Sequence, residues 1–149
     1  MSIRTEPCDT VEHPGWLALR EQLWAHRPRA EHLAEMAQFV ANPQRFAQFL
    51  AVDEVGHAVG LAELALRTDY VNGTNSSPVA FLEGVYVIGE ARRRGVARSL
   101  LARAEAWARE AGCTEFASDA ALRDVRSHAM HAALGFEETE RVVYFRKPL

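Results

Sequence analysis

Residues 81–101 read FLEGVYVIGEARRRGVARSLL, and the reading of this stretch decides the fold. Three kinds of segment follow one another in it. Residues 81–88 are rich in β-branched and aromatic side chains, the signature of a buried strand. Residues 89–95 form a loop containing Arg92, Arg93 and Arg94 and closed by Gly95. From Val96 onward, Val96, Leu100, Ala104, Ala108 and Ala111 recur at helical spacing. A strand that passes through a glycine-closed loop into a helix start is an anion site. The N–H groups of the first turn lack internal partners, the helix dipole is positive there, and the guanidinium groups add formal charge.

Exclusion narrows the anion. The Walker pattern GxxxxGK[ST] is absent, the dinucleotide pattern GxGxxG is absent, and the chain's only lysine is Lys147. Present instead is Arg92-Arg93-Arg94-Gly95-Val96-Ala97, of the form [RQ]xxGx[GA]. In isolation such a match reads as a solvated basic turn capped by glycine. Here a hydrophobic strand precedes it, an amphipathic helix follows, and Leu134-Gly135-Phe136 closes a second helix downstream. Together these features resemble the GCN5-related N-acetyltransferase (GNAT) superfamily, whose pyrophosphate loop binds acetyl-coenzyme A.

Composition bounds the alternatives. At 149 residues the chain has the length of one domain, 1–149, with 48% hydrophobic and 25% charged residues. A net charge of −3 argues against a nucleic-acid partner. Two cysteines, Cys8 and Cys113, make no disulfide framework and fit a reducing cytoplasm. The start, MSIRTEPCDTVEHPG, has no apolar signal core, and no apolar run approaches membrane-spanning length. The sequons at Asn72 and Asn75 are therefore expected to be chance matches in a turn.

Around the central stretch, residues 2–7 read as a short strand, and 14–24 and 30–40 as helices separated by Pro28. Residues 46–52 and 57–66 flank Asp53-Glu54-Val55-Gly56 as a hairpin. Residues 70–78 form the longest polar, turn-rich segment, placed by exposure to meet a substrate. After the central helix, stopped at Gly112, come a short strand over 115–118, a helix capped by Asp124 or Ser127, and a final strand or pair over 137–147. The fold class is mixed α/β with a central, largely antiparallel sheet. The strands on either side of the central helix are expected to be parallel.

Three carboxylates stand out. Glu83 lies in an apolar strand beside Gly84, which marks a bulge or a close backbone approach. Its bland reading is an outward-facing residue or a pair with a structural arginine. Asp119 ends a strand, where it is either a turn cap or a site residue. Glu140 taken alone reads as solvated surface. Trp24 and Tyr70 end their segments and read either as packing residues or as platforms for a sugar or a cation. His128 and His131, three apart, lack the further ligands a metal site needs.

A closer resemblance runs essentially the whole length. Leu23-Trp24, Tyr70-Val71-Asn72-Gly73-Thr74, Ser77-Pro78, Phe81-Leu82-Glu83-Gly84, Ala117-Ser118-Asp119 and residues 134–140 (LGFEETE) look like the chromosomal branch of the aminoglycoside 6′-N-acetyltransferases. The resemblance implies a GNAT fold with a parallel strand pair splayed around acetyl-CoA, and acetyl transfer to the 6′-amine of an aminoglycoside without a metal. It implies that Val85, Tyr86 and Val87 offer backbone groups to the pantetheine arm. Arg92, Arg93, Arg94, Gly95, Val96, Ala97 and Arg98 would hold the pyrophosphate, with Asp124 near the coenzyme. Trp24, Tyr70, Glu83, Asp119 and Glu140 would line the aminoglycoside side, Asp119 or Glu83 serving as base, and the protein would be a homodimer. Many GNAT members carry a tyrosine, the general acid, four residues before the glycine of the LGF ending; here that position is His131. Another cationic amine as acceptor, whether polyamine, peptide N-terminus or lysine, would use the same acidic cluster. A non-catalytic acyl-CoA-binding domain would keep the arginine loop without needing Glu83 and Asp119.

Overall fold

The computed structural model describes residues 2–149. Its elements run β1 (Arg4–Pro7), α1 (Trp16–Leu23), α2 (Arg29–Ala41), β2 (Phe46–Val52), β3 (Ala58–Arg67), β4 (Val79–Val87), a 3-10 turn at Gly89–Ala91, α3 (Val96–Glu110), β5 (Phe116–Ala117) and α4 (Val125–Ala133). The five strands form one sheet in chain order, antiparallel except for the β4–β5 pair, which is parallel.

Alternation along β2 and β3 explains the layers. Phe49, Ala51, Ala62 and Leu64 face Val96, Leu100, Leu101 and Ala104 of α3 on one side. Leu50 and Leu61 face Trp16, Leu19 and Met36 of α1 and α2 on the other. A sheet covered on both faces needs apolar residues at consecutive positions, which is why these strands read as continuous runs. The β2–β3 turn is held by the Asp53 carboxylate, which accepts from the N–H groups of Val55 and His57 at 3.0 and 2.9 Å.

Two paired positions on the α1 and α2 face are not apolar, Gln48 of β2 and Glu63 of β3. Glu63 of β3 is 2% exposed where a leucine would pack. Its carboxylate accepts from Trp16 Nε1 at 2.8 Å and from Arg20 Nη1, both on α1. The other guanidinium donors of Arg20, itself fully buried, reach α2: Nε donates to His32 Nδ1 at 3.2 Å and Nη2 to Glu35 at 2.7 Å. Because His32 Nδ1 accepts, its ring proton sits on Nε2, which is buried without a partner. Burial pushes the Glu63 carboxyl above its ordinary range, against the pull of Arg20 and the Trp16 indole.

The expected final strand does not form. Residues 137–149 carry no regular secondary structure, and Val143, Tyr144 and Phe145 are 76, 81 and 92% exposed. A strand exists only by pairing, and this segment joins no ladder among the described residues. The central strand differs from expectation too. Val79–Leu82 are buried, whereas Gly84–Ile88 are only half-buried.

The ion pair makes a stability prediction. Glu63→Ala leaves the buried Arg20 guanidinium with only the half-buried Glu35 carboxylate as counter-charge and strips Trp16 Nε1 of its partner, and should cost about 3 kcal/mol in chemical denaturation. Replacing both residues with apolar ones of similar size should cost far less than that single change, since burial of the charges is itself expensive.

Candidate active site

The site begins where two parallel strands part. β4 and β5 pair only at Ala80–Phe116 and Phe81–Ala117. Ser118 Oγ still lies 3.4 Å from the Leu82 carbonyl. Beyond that point β4 keeps β3 on one edge, through Val85, Tyr86 and Val87, and has no strand on the other. Half the backbone groups there point into an open fork, able to bond an extended ligand arm.

At the end of β4 the chain enters the arginine loop. Arg93 and Gly95 are left-handed, at φ 63° and 76°, and Gly95 is the N-cap of α3. A left-handed cap strains any residue with a Cβ, which accounts for glycine there. No side chain caps α3, so the donors of Val96, Ala97 and Arg98 remain for an external acceptor. A Cβ placed on Gly95 would meet no atom within 4 Å. Arg92 folds back, Nε donating to the Val87 carbonyl at 2.9 Å, and Arg98 donates to Ala133 O of α4 at 3.1 Å. Arg92, Arg93, Arg94 and Arg98 are exposed and form no ion pair among the described residues. Uncapped donors, open space and unpaired cations fit a coenzyme pyrophosphate.

The acidic side lies at the other end of the fork. The β3–β4 register skips Glu83: Glu63 pairs with Gly84 and Leu64 with Leu82. Glu83 is thus the extra residue of a bulge. Arg67 of β3 grips it, with Nη2 donating to both carboxylate oxygens at 2.8 and 3.1 Å, while its guanidinium lies 3.6 Å from the Phe81 ring centroid. Trp24 closes down on the bulge. A Cβ on Gly84 would stand 2.6 Å from the Trp24 ring, so only glycine fits beneath it. The same indole is flanked by Arg20 and Arg27, at 4.9 and 4.7 Å from its centroid.

The loop after β3 supplies the rest. Tyr70 is 74% exposed. Glu115, just before β5, accepts from Asn75 N–H at 2.8 Å and from the Ser76 hydroxyl. The serine bond first, then the backbone N–H, lowers the Glu115 carboxyl below its usual range. Gly73 lies against the segment after α4, its would-be Cβ 3.8 Å from Glu140 Cβ. Asp119 is exposed and follows Ser118 at the fork. Asp124 caps α4, accepting from Ser127 N–H at 3.1 Å. His131, on α4, meets Ser118 Oγ at 2.7 Å. The structure therefore joins Trp24 to Gly84, next to Glu83, Tyr70's loop to Glu140, and Asp119 to the fork. Arg67, Glu115 and Ser118 are additions that sequence reasoning missed. The cue for Arg67 was a charge ending an apolar run beside a strand acid. Among the described residues, no group of three or more His, Cys, Asp or Glu could hold a metal ion.

Comparison with known proteins agrees with this arrangement. Residues 15–136 match the acetyltransferase (GNAT) family. The chain is 53% identical over 141 residues, 95% of both chains, to aminoglycoside N(6′)-acetyltransferase type 1 of Acinetobacter baumannii. It is 55% identical over 136 residues to the enzyme of that name from Stenotrophomonas maltophilia, covering 91% of this chain and 86% of that one. Among solved structures, AAC(6′)-Iy in complex with the bisubstrate analogue CoA-S-monomethyl-acetylneamine superposes with a TM-score of 0.94, at 40% identity over all of both chains. AAC(6′)-Ih from Acinetobacter baumannii gives 0.93, at 47% identity over 99% of both. With a sheet forked at β4 and β5, an open arginine loop at the head of α3 and relatives this similar over nearly their full lengths, the chain belongs to the GNAT acetyltransferase family.

Proposed function

We propose that this protein transfers the acetyl group of acetyl-CoA to the 6′-amine of aminoglycoside antibiotics and so confers resistance. The observation that carries this reading is identity of about half of all positions, over 95% of both chains, with an enzyme named for that reaction. Residues 1–149 act as one catalytic domain. Val85, Tyr86 and Val87 line the pantetheine arm. Arg92, Arg93, Arg94 and Arg98, with the N–H groups of Gly95, Val96 and Ala97, take the pyrophosphate, and Asp124 holds α4 beside it. Trp24, Tyr70, Glu83, Asp119 and Glu140 receive the polycationic acceptor.

Division of labour among the acids follows from their partners. Carboxylates that bind an ammonium also hold its proton, yet only the neutral amine attacks the thioester. Glu83 is gripped by Arg67, which supports a role in positioning. Asp119 makes no ion pair among the described residues, which supports it as the base. Attack occurs directly within the ternary complex, with β4 N–H groups polarising the thioester carbonyl.

The protein acts as a cytoplasmic homodimer on this reading. A cytoplasmic place suits its donor and its free, buried cysteines; among the described residues no helix is long and apolar enough to cross a membrane. Two features support a second copy. The exposed apolar run at Val143, Tyr144 and Phe145 is of the kind that marks an interface, and β5 is an uncovered edge strand of two residues. Sedimentation should give twice the 16.6 kDa chain mass, and charge substitution at Tyr144 and Phe145 should lower it.

Release of free thiol from acetyl-CoA, with and without a kanamycin-type acceptor, tests the reaction. The protein's own thiols should stay silent in that assay. Burial, then the Glu63 charge, pushes Cys8 up to about 12, and burial raises Cys113. Acceptor-independent thiol release, or none, would refute the aminoglycoside reading.

Within the site, Gly95→Asp should abolish acetyl-CoA binding in a folded protein, by strain at φ 76° and by charge beside the phosphates. Asp119→Asn should lower kcat by something like 10²-fold, the scale of general-base loss. Glu140→Gln should instead raise the aminoglycoside KM, flatten its salt dependence and leave the acetyl-CoA KM nearly unchanged. A shift of the acetyl-CoA constant alone in all these acid variants would show the acidic pocket misplaced.

A further inference from the structure

Acetyl transfer leaves a coenzyme thiolate that must acquire a proton. We propose that Ser118 and His131 form a two-residue relay that delivers it, Ser118 donating to the sulfur and His131 reloading Ser118. The inference rests on reading the β4–β5 fork as the acetyl-CoA site.

The hydrogen bonds around His131 set the direction of the relay. Nδ1 lies 2.7 Å from the Ser127 carbonyl, which can only accept, so Nδ1 carries a proton in the neutral ring. Nε2 then holds the lone pair and faces Ser118 Oγ at 2.7 Å. A neutral His131 therefore draws the Ser118 hydroxyl proton toward itself. When the ring is an imidazolium, Nε2–H donates to Ser118 Oγ, and the hydroxyl proton must swing elsewhere. The acceptor in reach is the Leu82 carbonyl at 3.4 Å, in the crotch where β4 and β5 separate. The charge of His131 thus switches the serine proton between the ring and the fork.

The surrounding fold keeps the ring in place. Gly135 turns the chain back at the end of α4, and Phe136 N–H bonds the His131 carbonyl at 2.9 Å. Phe136 then packs edge-on to the imidazole at 5.2 Å between centroids, and Phe116 of β5 backs it at 5.4 Å. The LGF ending thus holds His131 against Ser118, the residue that follows β5.

The step balances. As the tetrahedral adduct collapses, the C–S bond breaks and its electron pair goes to sulfur. Sulfur takes the Ser118 proton, Oγ takes the Nε2 proton, and His131 is left neutral. The substrate nitrogen sheds two protons between ammonium and amide: the first leaves through the base to water before attack and the second by the same path as the adduct collapses, while water reloads His131 through Ser118 when products depart, so one net proton is released per turnover.

A double-mutant cycle read by single-turnover acetyl transfer tests the relay, with Kd measured separately for each ligand. Ser118→Ala and His131→Gln should each slow transfer by about 10²-fold, the lower scale of general-acid loss, with both Kd values little changed. The double variant should be no slower than the slower single, because one pathway has been cut twice. Ser118→Thr keeps a hydroxyl and should recover most of the rate. His131→Gln keeps a polar partner for Ser118 but no exchangeable acid, so a merely structural histidine would be rescued by it. Nitrogen shifts of His131 in the resting protein should show Nδ1 protonated. Multiplying effects in the double variant, wild-type transfer in His131→Gln, or a loss confined to acetyl-CoA affinity would overturn the relay. Should Ser118→Ala not fold, the Ser118→Thr and His131→Gln rates decide alone. Absence of acetyl transfer in the wild-type protein would instead refute the function on which the relay rests.

Discussion

A single buried guanidinium ties three layers of this protein together. Arg20 leaves α1 and spends its donors on Glu63 of β3 and on His32 and Glu35 of α2. Its fork is planar and rigid, so satisfying all three partners leaves the two helices little freedom to slide on the sheet. Trp24 stands one turn after Arg20, beneath the same guanidinium, and its ring rests on Gly84. Trp24 and the ring's seat on Gly84 are therefore positioned by a charge pair on the same face of the helix, one turn away. Buried pairs of this kind add little net stability, and here the return is a fixed orientation.

β4 divides the molecule's work along its own length. Its first half is sealed between α3 and the rest of the sheet. Its second half is half-open, because β5 has already turned away. The bulge at Glu83 falls at the change. An ordinary residue there would alternate with its neighbours, but the extra residue lets Glu83 face Arg67 and the acidic side while Val85 to Val87 keep their register with β3. The bulged acid and the half-open backbone beyond it thus lie on one strand, on either side of the register shift.

Local signals made most of this legible in the sequence. The hairpin strand over 46–52 has the expected bounds, since its turn and its apolar run agree. Gly84 offered a bulge or a close approach, and the structure has the bulge at Glu83 beside it and the close approach at Gly84 itself. Asp124 caps α4 as its spacing allowed. What stayed hidden depends on partners distant in the chain. Glu63 sits inside LAELAL and reads as a strand's polar face; only the folded chain brings Arg20 to it, 43 residues away. Glu83 was a visible oddity, but its grip by Arg67 is a cross-strand event. The segment over 137–147 has strand-like composition and no ladder to join, because pattern reports what a segment can bury and not whether a neighbour is available.

The choice of cation has one more chemical meaning. Of the 17 lysines and arginines all but one are arginine, and the exception, Lys147, is exposed near the end of the chain, outside the arginine loop. A protein that handles an activated thioester holds an acylating reagent within reach of its own side chains. An amine in the pyrophosphate loop would be a nucleophile beside that reagent, and acylation would erase the charge that binds it. Guanidinium groups stay protonated and do not compete for the acyl group. On the proposed reading, a loop of arginines at the head of α3 offers the bound thioester no amine to acylate.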